Sequence, residues 1–296
     1  MAGYTNRAFR TICVREGAAL TYTEMVSAKG LEYNNARTFS YIEAAPEETQ
    51  LAVQLFGHEP DSVAHAALLV KRHLGSRLAL IDINMGCPVR KVFGKGEGAA
   101  LMENEDLAAE IVSATLCAVD VPVTAKFRSG IDSEHICAIQ FAQTLEQAGA
   151  SAITVHGRTA KQFYKGAADW EIIAKVKEAV EIPVYASGDV FSYIDALRMI
   201  QHCKVDGVMV ARGARGNPWV FSGKKPSMQM RFETMRKHVK LYVQFEGKKH
   251  LSALRSQLCW YVQGLNGASQ FRAGLSRCQS VNDYIKLINK AEKLHV

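Results

Sequence analysis

This sequence has no long apolar run. None reaches the roughly 18 residues that a membrane-spanning helix needs, and the N-terminus lacks the pattern of a secretory signal peptide. Internal repeats and low-complexity tracts are missing too. These absences argue against membrane and repeat proteins. The 48% apolar and 22% charged residues are typical of a globular protein with one large and one small domain.

Cysteine pairs are also missing. The seven cysteines are odd in number and scattered, and no two form a Cys-x-x-Cys pair. This argues against a disulfide framework and against a structural zinc site. We therefore expect a cytoplasmic protein without a metal. Nothing in the pattern defines an oligomeric state, and a monomer is slightly favoured.

Positive charge is concentrated at the C-terminal end. Residues 224–296 hold 14 Lys and Arg against 4 Asp and Glu, whereas residues 1–223 hold 22 against 25. A near-neutral body with a basic tail suits a polyanionic partner. A basic helical surface that is merely solvated explains the charge equally well.

Short β-rich runs alternate with amphipathic segments over the first 220 residues or so. Such alternation, with continuous apolar strands, predicts a parallel sheet covered by helices. The predicted strands are Leu20–Met25, Leu51–Phe56, Leu80–Asn84, Val121–Phe127, Ala152–His156, Pro183–Ser187 and Gly207–Ala211. The predicted helices between them include Ser62–Leu74, Asp106–Ala118, His135–Ala148 and Trp170–Val180.

The pattern changes after Trp219. Lys224-Lys225-Pro226 indicates a linker, and no strand candidate follows it. We therefore predict two domains, an α/β domain over 1–223 and a small all-α domain over 224–296. The helices predicted for the second domain are Gln229–Phe245, Leu251–Gly264 and Val281–Leu294.

The segment Asn84-Met85-Gly86-Cys87-Pro88 is the most informative stretch of the chain. It follows the apolar run 78–83, and a Gly-Cys-Pro turn leaves a strand abruptly and presents a thiol at the strand end. A lone Cys there is more often a small apolar residue. The glycine-rich loop 89–98 contains Arg90, Lys91 and Lys95, however, and a thiol beside three cations favours a site for an anionic substrate.

Polar residues stand in or at the ends of other predicted strands. Active sites of parallel barrels form where the strands end, so these residues are expected to lie together. Gln54 and Lys126 fall inside apolar strands, where an amide or an ammonium group needs a partner. Arg128 and His156 follow. By itself Arg128 is as readily part of a surface ion pair, and a lone His at a strand end beside Gly is more often structural than catalytic.

The last two strands end in glycine-containing loops, Ser187-Gly188-Asp189 and Ala211-Arg212-Gly213-Ala214-Arg215-Gly216, and the second of them carries two arginines. Barrels commonly bind phosphate at this position, with backbone N–H groups and Arg. Gly188 permits close approach of the backbone, and Arg212 is suited to a bidentate phosphate contact. Neither loop is a dinucleotide fingerprint, so no stable Rossmann-type NAD site is predicted.

Taken together, the Cys87 loop and these strand ends resemble the tRNA-dihydrouridine synthases, flavin enzymes that reduce uridine in tRNA. The resemblance runs from Met1 to about Arg277 and implies an α/β (β/α)8 TIM barrel followed by a small helical domain. Residues 1–6 resemble the loop that follows the first strand in that family. We therefore expect the first of eight strands to be truncated here.

The resemblance also implies the chemistry. NADPH would reduce bound FMN, hydride would pass from FMN to C6 of uracil, and Cys87 would give a proton to C5. The family pattern has Asn and Gly where Ser187 and Ala211 stand here. The residues implied to bind FMN are Met1, Ala2, Gln54, Lys126, His156, Ser187, Gly188, Asp189, Ala211 and Arg212. The residues implied to contact the uracil or the RNA are Asn84, Arg90, Lys91, Arg128, Arg158, Arg255 and Arg272.

Two other functions stay open at this point. An FMN enzyme for a small pyrimidine, such as a dihydroorotate or dihydropyrimidine dehydrogenase, would also place a Cys near its substrate. Its free pyrimidine would not require the basic tail. A catalytically weak RNA-binding protein is the second alternative, since a truncated first strand could cost the cofactor. The tail segment Arg255–Tyr261 resembles the helical RNA-binding domain of the family, and Trp260 and Tyr261 are expected in its core.

Overall fold

A single parallel sheet forms the centre of the fold. The computed structural model describes residues 1, 3–248 and 251–295, and within these the seven strands lie in sequence order with every neighbouring pair parallel. They are β1 (Thr21–Ser27), β2 (Leu51–Phe56), β3 (Leu78–Met85), β4 (Val123–Arg128), β5 (Ala152–His156), β6 (Val184–Ser187) and β7 (Gly207–Met209).

The predicted TIM-barrel-like α/β fold is confirmed. All seven predicted strands are present, with bounds that shift by a few residues. Strand β2 shows why the sheet is parallel: Leu51, Ala52, Val53 and Leu55 are all fully buried, and a parallel sheet must be covered on both faces. In the described part of the chain β1 pairs only with β2 and β7 only with β6, so the sheet is curled but has two edges.

Helices connect the strands and cover the sheet. Several begin at a side chain that accepts the first free N–H groups, as Asn104, Asp169 and Ser192 do. The helices of this part are α1 (Arg7–Arg15), α2 (Ala28–Glu32), α3 (Ala36–Ser40), α4 (Pro60–Leu74), α5 (Arg90–Phe93), α6 (Glu105–Ala118), α7 (Ala138–Gln147), α8 (Trp170–Ala179) and α9 (Tyr193–Cys203).

The C-terminal segment is helical, as predicted, with α10 (Met228–Glu246), α11 (Leu251–Leu258), α12 (Ala268–Arg277) and α13 (Val281–Glu292). Its core contains Tyr261, as expected, but also Ala8 and Ile12 of α1 and Trp219. Helix α1 therefore packs against the C-terminal helices although it lies near the other end of the chain. None of the helices in the described ranges is long and apolar enough to cross a membrane.

In the C-terminal segment, one predicted helix is shorter than expected and one helix, α12, was missed. The prediction Leu251–Gly264 is wrong beyond Leu258, where turns replace the helix. These turns lie directly against another segment, because a side chain at Gly216 would stand 2.4 Å from the Trp260 carbonyl carbon. Gly264 and Gly267 then adopt positive φ angles of 81° and 74°, and α12 begins after them.

Candidate active site

A cavity of about 300 Å³ opens at the carboxyl ends of the strands. Strand register brings its polar residues together, because Asn84 pairs with Lys126, Arg128 pairs with His156, and His156 pairs with Ser187 on the next strand. The residues predicted from sequence that line the cavity are Met1, Gln54, Asn84, Cys87, Lys126, Arg128, His156, Ser187, Gly188, Asp189, Ala211 and Arg212. Ala2 lies outside the described residues.

The Cys87 turn is held by its own asparagine. Asn84 Oδ1 accepts hydrogen bonds from the backbone N–H groups of Gly86 at 3.2 Å and Cys87 at 2.9 Å. The glycine-rich loop folds back onto the same turn, since the N–H of Ala99 donates to the Cys87 carbonyl at 3.1 Å. Gly98 has a φ of 62°, and a side chain there would lie 2.8 Å from the Cys87 carbonyl oxygen, so glycine is needed.

The Cys87 thiol is half-buried in the cavity wall. Burial raises the pKa of Cys87, although the N–H of Val89 and the charges of Arg128 and Lys126 act in the opposite direction. The thiol therefore keeps its proton at neutral pH. A group in that state is suited to donate a proton, and it is not an activated thiolate nucleophile.

Lys126 is half-buried in the wall of the cavity, and its ammonium group is shielded from water. Burial, with a further contribution from Arg128, lowers the pKa of Lys126 to about 8. No residue in the described part of the chain makes a hydrogen bond to its Nζ. A buried ammonium group without such a partner fits an electron-rich or anionic ligand in the cavity.

His156 is a neutral hydrogen-bond donor. Its Nδ1 accepts the backbone N–H of Arg158 at 3.3 Å, which leaves the ring proton on Nε2. Burial lowers the pKa of His156 to about 2, and the charges of Lys126, Arg128 and Arg158 add to the effect. The imidazole therefore brings no charge to the cavity, and it offers one N–H to a ligand.

Asp189 organises the arginines at the other end of the cavity. Its carboxylate accepts from Arg158 Nη2 at 2.6 Å, from Arg212 Nη2 at 3.0 Å and from the N–H of Ala168 at 2.8 Å. Partial burial raises the pKa of Asp189, but these hydrogen bonds outweigh it and hold the pKa below its usual value. Asp189 is thus already engaged, and its contribution is to orient Arg212 toward the cavity that both residues line.

Arg128 and Arg158, which are predicted to contact RNA, are both buried and bonded within the protein. Arg128 is only 4% exposed and donates to the carbonyls of Gly86, Thr159 and Phe163. Arg158 is 2% exposed, does not line the cavity, and donates to the carbonyls of loop 165–166. Through these hydrogen bonds the two guanidinium groups hold the loops at the cavity.

The remaining predicted RNA contacts lie at the surface. Arg90 and Lys91 are exposed next to Val89, which lines the cavity. Arg272 is exposed on α12. Arg255 is only half-exposed and donates to the carbonyl of Cys278 at 3.0 Å, so it joins α11 to the end of α12.

Sequence reasoning missed the aromatic residues at the cavity mouth and one acid beneath it. Tyr164 and Phe191 are 57% and 49% exposed, and the Arg212 guanidinium lies 4.6 Å and 5.5 Å from their ring centroids. Asp82 is fully buried in β3. Its signal was available, because a carboxylate inside an apolar strand must have hydrogen-bond partners.

The fold and the cavity define an α/β-barrel-like protein with one strand-end site, in which a protonated thiol, a buried ammonium group and an oriented arginine face the same space. A family model described as "Dihydrouridine synthase (Dus)" matches residues 1–295. The chain belongs to the dihydrouridine synthase family.

Curated relatives match over almost the whole of this chain. The chain is 37% identical to "Probable tRNA-dihydrouridine synthase 1" of Synechocystis sp., with 98% of this chain and 84% of that protein covered. It is 36% identical to "tRNA-dihydrouridine synthase B" of Pseudomonas aeruginosa, with 95% and 88% covered. It is also 36% identical to "Probable tRNA-dihydrouridine synthase" of Rickettsia bellii, with 98% and 91% covered.

Proposed function

We propose that this protein reduces uridine to 5,6-dihydrouridine in tRNA, with FMN as cofactor and NADPH as reductant. The observation that carries the proposal is the placement of the protonated Cys87 thiol and the Lys126 ammonium group in one cavity. The names of the relatives support tRNA as the substrate. A cytoplasmic location, where tRNA and NADPH are both present, belongs to the same proposal.

The residues present fit a flavin mononucleotide. Lys126 lacks a hydrogen-bond partner in the described residues, and its positive charge suits the electron-rich edge of the ring. Gln54 and the Nε2–H of His156 supply neutral donors. At the other end of the cavity, Arg212 and the backbone at Gly188 suit the phosphate. The other residues proposed to line the FMN are Met1, Ala2, Ser187, Asp189 and Ala211.

When bound and reduced by NADPH, FMN would supply the hydride for C6 of the uracil. Cys87 holds the proton that C5 needs, because burial keeps its thiol protonated at neutral pH. Asn84 fixes the turn that carries this thiol and is proposed to orient the uracil. The target base must leave its stack to enter a cavity at the strand ends.

The RNA is proposed to dock on the basic surface. Residues 224–296 carry 14 Lys and Arg against 4 Asp and Glu, and Arg272 is exposed there. Arg90 and Lys91 are exposed beside the cavity and are placed to meet phosphates near the target base. The segment 224–296 is therefore proposed as an RNA-binding domain, with α1 as part of its core.

An anaerobic visible spectrum tests the proposal in three steps: as purified with FMN, after NADPH, and after unmodified tRNA. We expect a yellow protein that bleaches with NADPH and recolours with tRNA. The matched control is Cys87→Ala, which should bleach normally and recolour far more slowly. Recolouring by a free pyrimidine and not by tRNA would replace the proposal with a small-molecule dehydrogenase. A chain that binds RNA but no FMN would leave only an RNA-binding protein.

A further inference from the structure

A chain of hydrogen bonds runs beneath the cavity and ends at the catalytic loop. Asp82 Oδ2 accepts from Gln54 Nε2 at 2.6 Å, and Gln54 Oε1 accepts from Asn84 Nδ2 at 2.7 Å. Asn84 Oδ1 then accepts from the N–H of Cys87 at 2.9 Å. Asp82 also accepts from the Thr124 hydroxyl at 2.6 Å, which is a side branch of this chain.

The chain has one direction because both of its ends are chemically fixed. Burial raises the pKa of Asp82, whereas the hydrogen bonds from Gln54 and Thr124 and the charge of Lys126 favour its carboxylate form. A carboxylate only accepts hydrogen bonds, so Gln54 turns its NH₂ group toward Asp82. Its carbonyl oxygen then faces Asn84, which must turn its own NH₂ group toward Gln54. The Asn84 oxygen is left for the backbone N–H of Cys87, which can only donate. Each amide orientation thus follows from the one before it.

Asp82 is fully buried and does not line the cavity. Gln54 and Asn84 do line it, and the second N–H of Gln54 has no partner in the described part of the chain. We propose that Asp82 is a positioning residue: it sets which atom of Gln54 faces the cavity and, through Asn84, holds the backbone of Cys87 in place. Its relevance to proton transfer rests on the proposed function.

The substitution Asp82→Asn tests this with little change of volume. Asparagine offers both a donor and an acceptor, so residue 82 no longer requires the NH₂ group of Gln54, and only the backbone N–H groups at the Cys87 end still hold the amides in this orientation. The Cys87 turn is thereby loosened. The matched control is Thr124→Val, which removes one hydrogen bond from the same carboxylate and leaves the chain to Cys87 intact. Gln54→Met breaks the chain without changing any charge, and it decides the matter if Asp82→Asn does not fold.

The readout is the rate of iodoacetamide labelling of Cys87 in the FMN-free full chain across pH, relative to the exposed Cys117 of α6. If the Cys87 turn is loosened, the labelling rate of Cys87 at its high-pH plateau rises. If only the charge beside Lys126 is lost, the plateau stays the same and the midpoint of the curve of labelling rate against pH shifts. Loss of one hydrogen bond predicts a change of about fivefold in the plateau. Asp82→Asn and Gln54→Met should both show it, and Thr124→Val should stay within about twofold.

The affinity for FMN is the second readout, and Asp82→Asn should weaken it by about fivefold, because an acceptor can then replace the Gln54 donor in the cavity. The proposal would be overturned if Asp82→Asn shifted only the pH midpoint of labelling and Gln54→Met changed neither the midpoint nor the plateau. Asp82 would then act only as a counter-charge for Lys126. The labelling needs neither NADPH nor tRNA. A chain that shows the labelling change but reduces no tRNA would therefore refute the proposed function alone.

Discussion

Two adjacent glutamates of this chain form ion pairs in opposite environments. Glu48 is fully buried and accepts from Arg10 at 2.7 and 3.0 Å, with Arg10 only 2% exposed. Glu48 also accepts from the Thr21 hydroxyl and the N–H of Ala45, both at 2.7 Å. This one carboxylate therefore joins α1, β1 and the loop before β2.

We predict that Glu48→Gln strongly destabilises the protein. The substitution leaves the Arg10 guanidinium buried without its counter-charge, and breaking a buried pair in this way costs about 3–5 kcal/mol. Taking the lower value of this range, we expect the free energy of unfolding to fall by about 3 kcal/mol. For a chain of this size it lowers the midpoint of thermal unfolding by roughly 6–12 °C.

Glu47→Gln is the matched control, since it is the same substitution one residue earlier. Glu47 pairs with Arg15 at the surface, where the two side chains are 42% and 43% exposed. Such pairs contribute about 0–1 kcal/mol. Urea unfolding followed by circular dichroism measures both variants. Equal losses of stability in the two variants would refute the reasoning that burial decides the cost.

Three further predictions concern the site and the RNA surface. Cys87→Ala should slow flavin reoxidation by tRNA at least about 10²-fold, as expected for the loss of a general acid, while the affinities for FMN and tRNA stay within about twofold. Stopped-flow absorbance measures the rate and filter binding measures the affinity for tRNA, and an unchanged rate would exclude Cys87 as the acid. Burial lowers the pKa of Lys126 to about 8. Between this pH and the pKa of an unfolded lysine the unfolded chain binds more protons, so the free energy of unfolding of the FMN-free chain should rise with pH. Lys126→Met should lack this rise in urea titrations, and the same pH profile in both proteins would contradict the burial of this ammonium group. Arg272→Ala should weaken tRNA binding and reduce the slope of log affinity against log salt by about 1. Arg255→Ala should instead lower thermal stability, because Arg255 donates to the Cys278 carbonyl, and a reversed pattern would show that the surface is misassigned.

Much of the fold follows from local pattern. The apolar runs that predict β2 and β5 match these strands residue for residue, because continuous apolar strands with helical segments between them have one common arrangement. The same rule brings the strand-end residues Gln54, Lys126 and His156 into one cavity, since parallel strands end on the same side. The roles of these residues toward FMN and RNA stay predictions.

Only the tertiary structure decided which charged groups are bonded to other groups inside the protein. An arginine at a strand end looks the same in sequence whether it meets RNA or a loop carbonyl, and Arg158 meets carbonyls and Asp189. Likewise, the packing of α1 on the C-terminal helices joins residues more than 200 positions apart. The sequence by itself determined the strands, the helices and the end of the sheet where the site forms, because these depend on periodicity within short segments. Partners of buried polar groups depend on contacts between distant segments, and these exist only once the chain has folded.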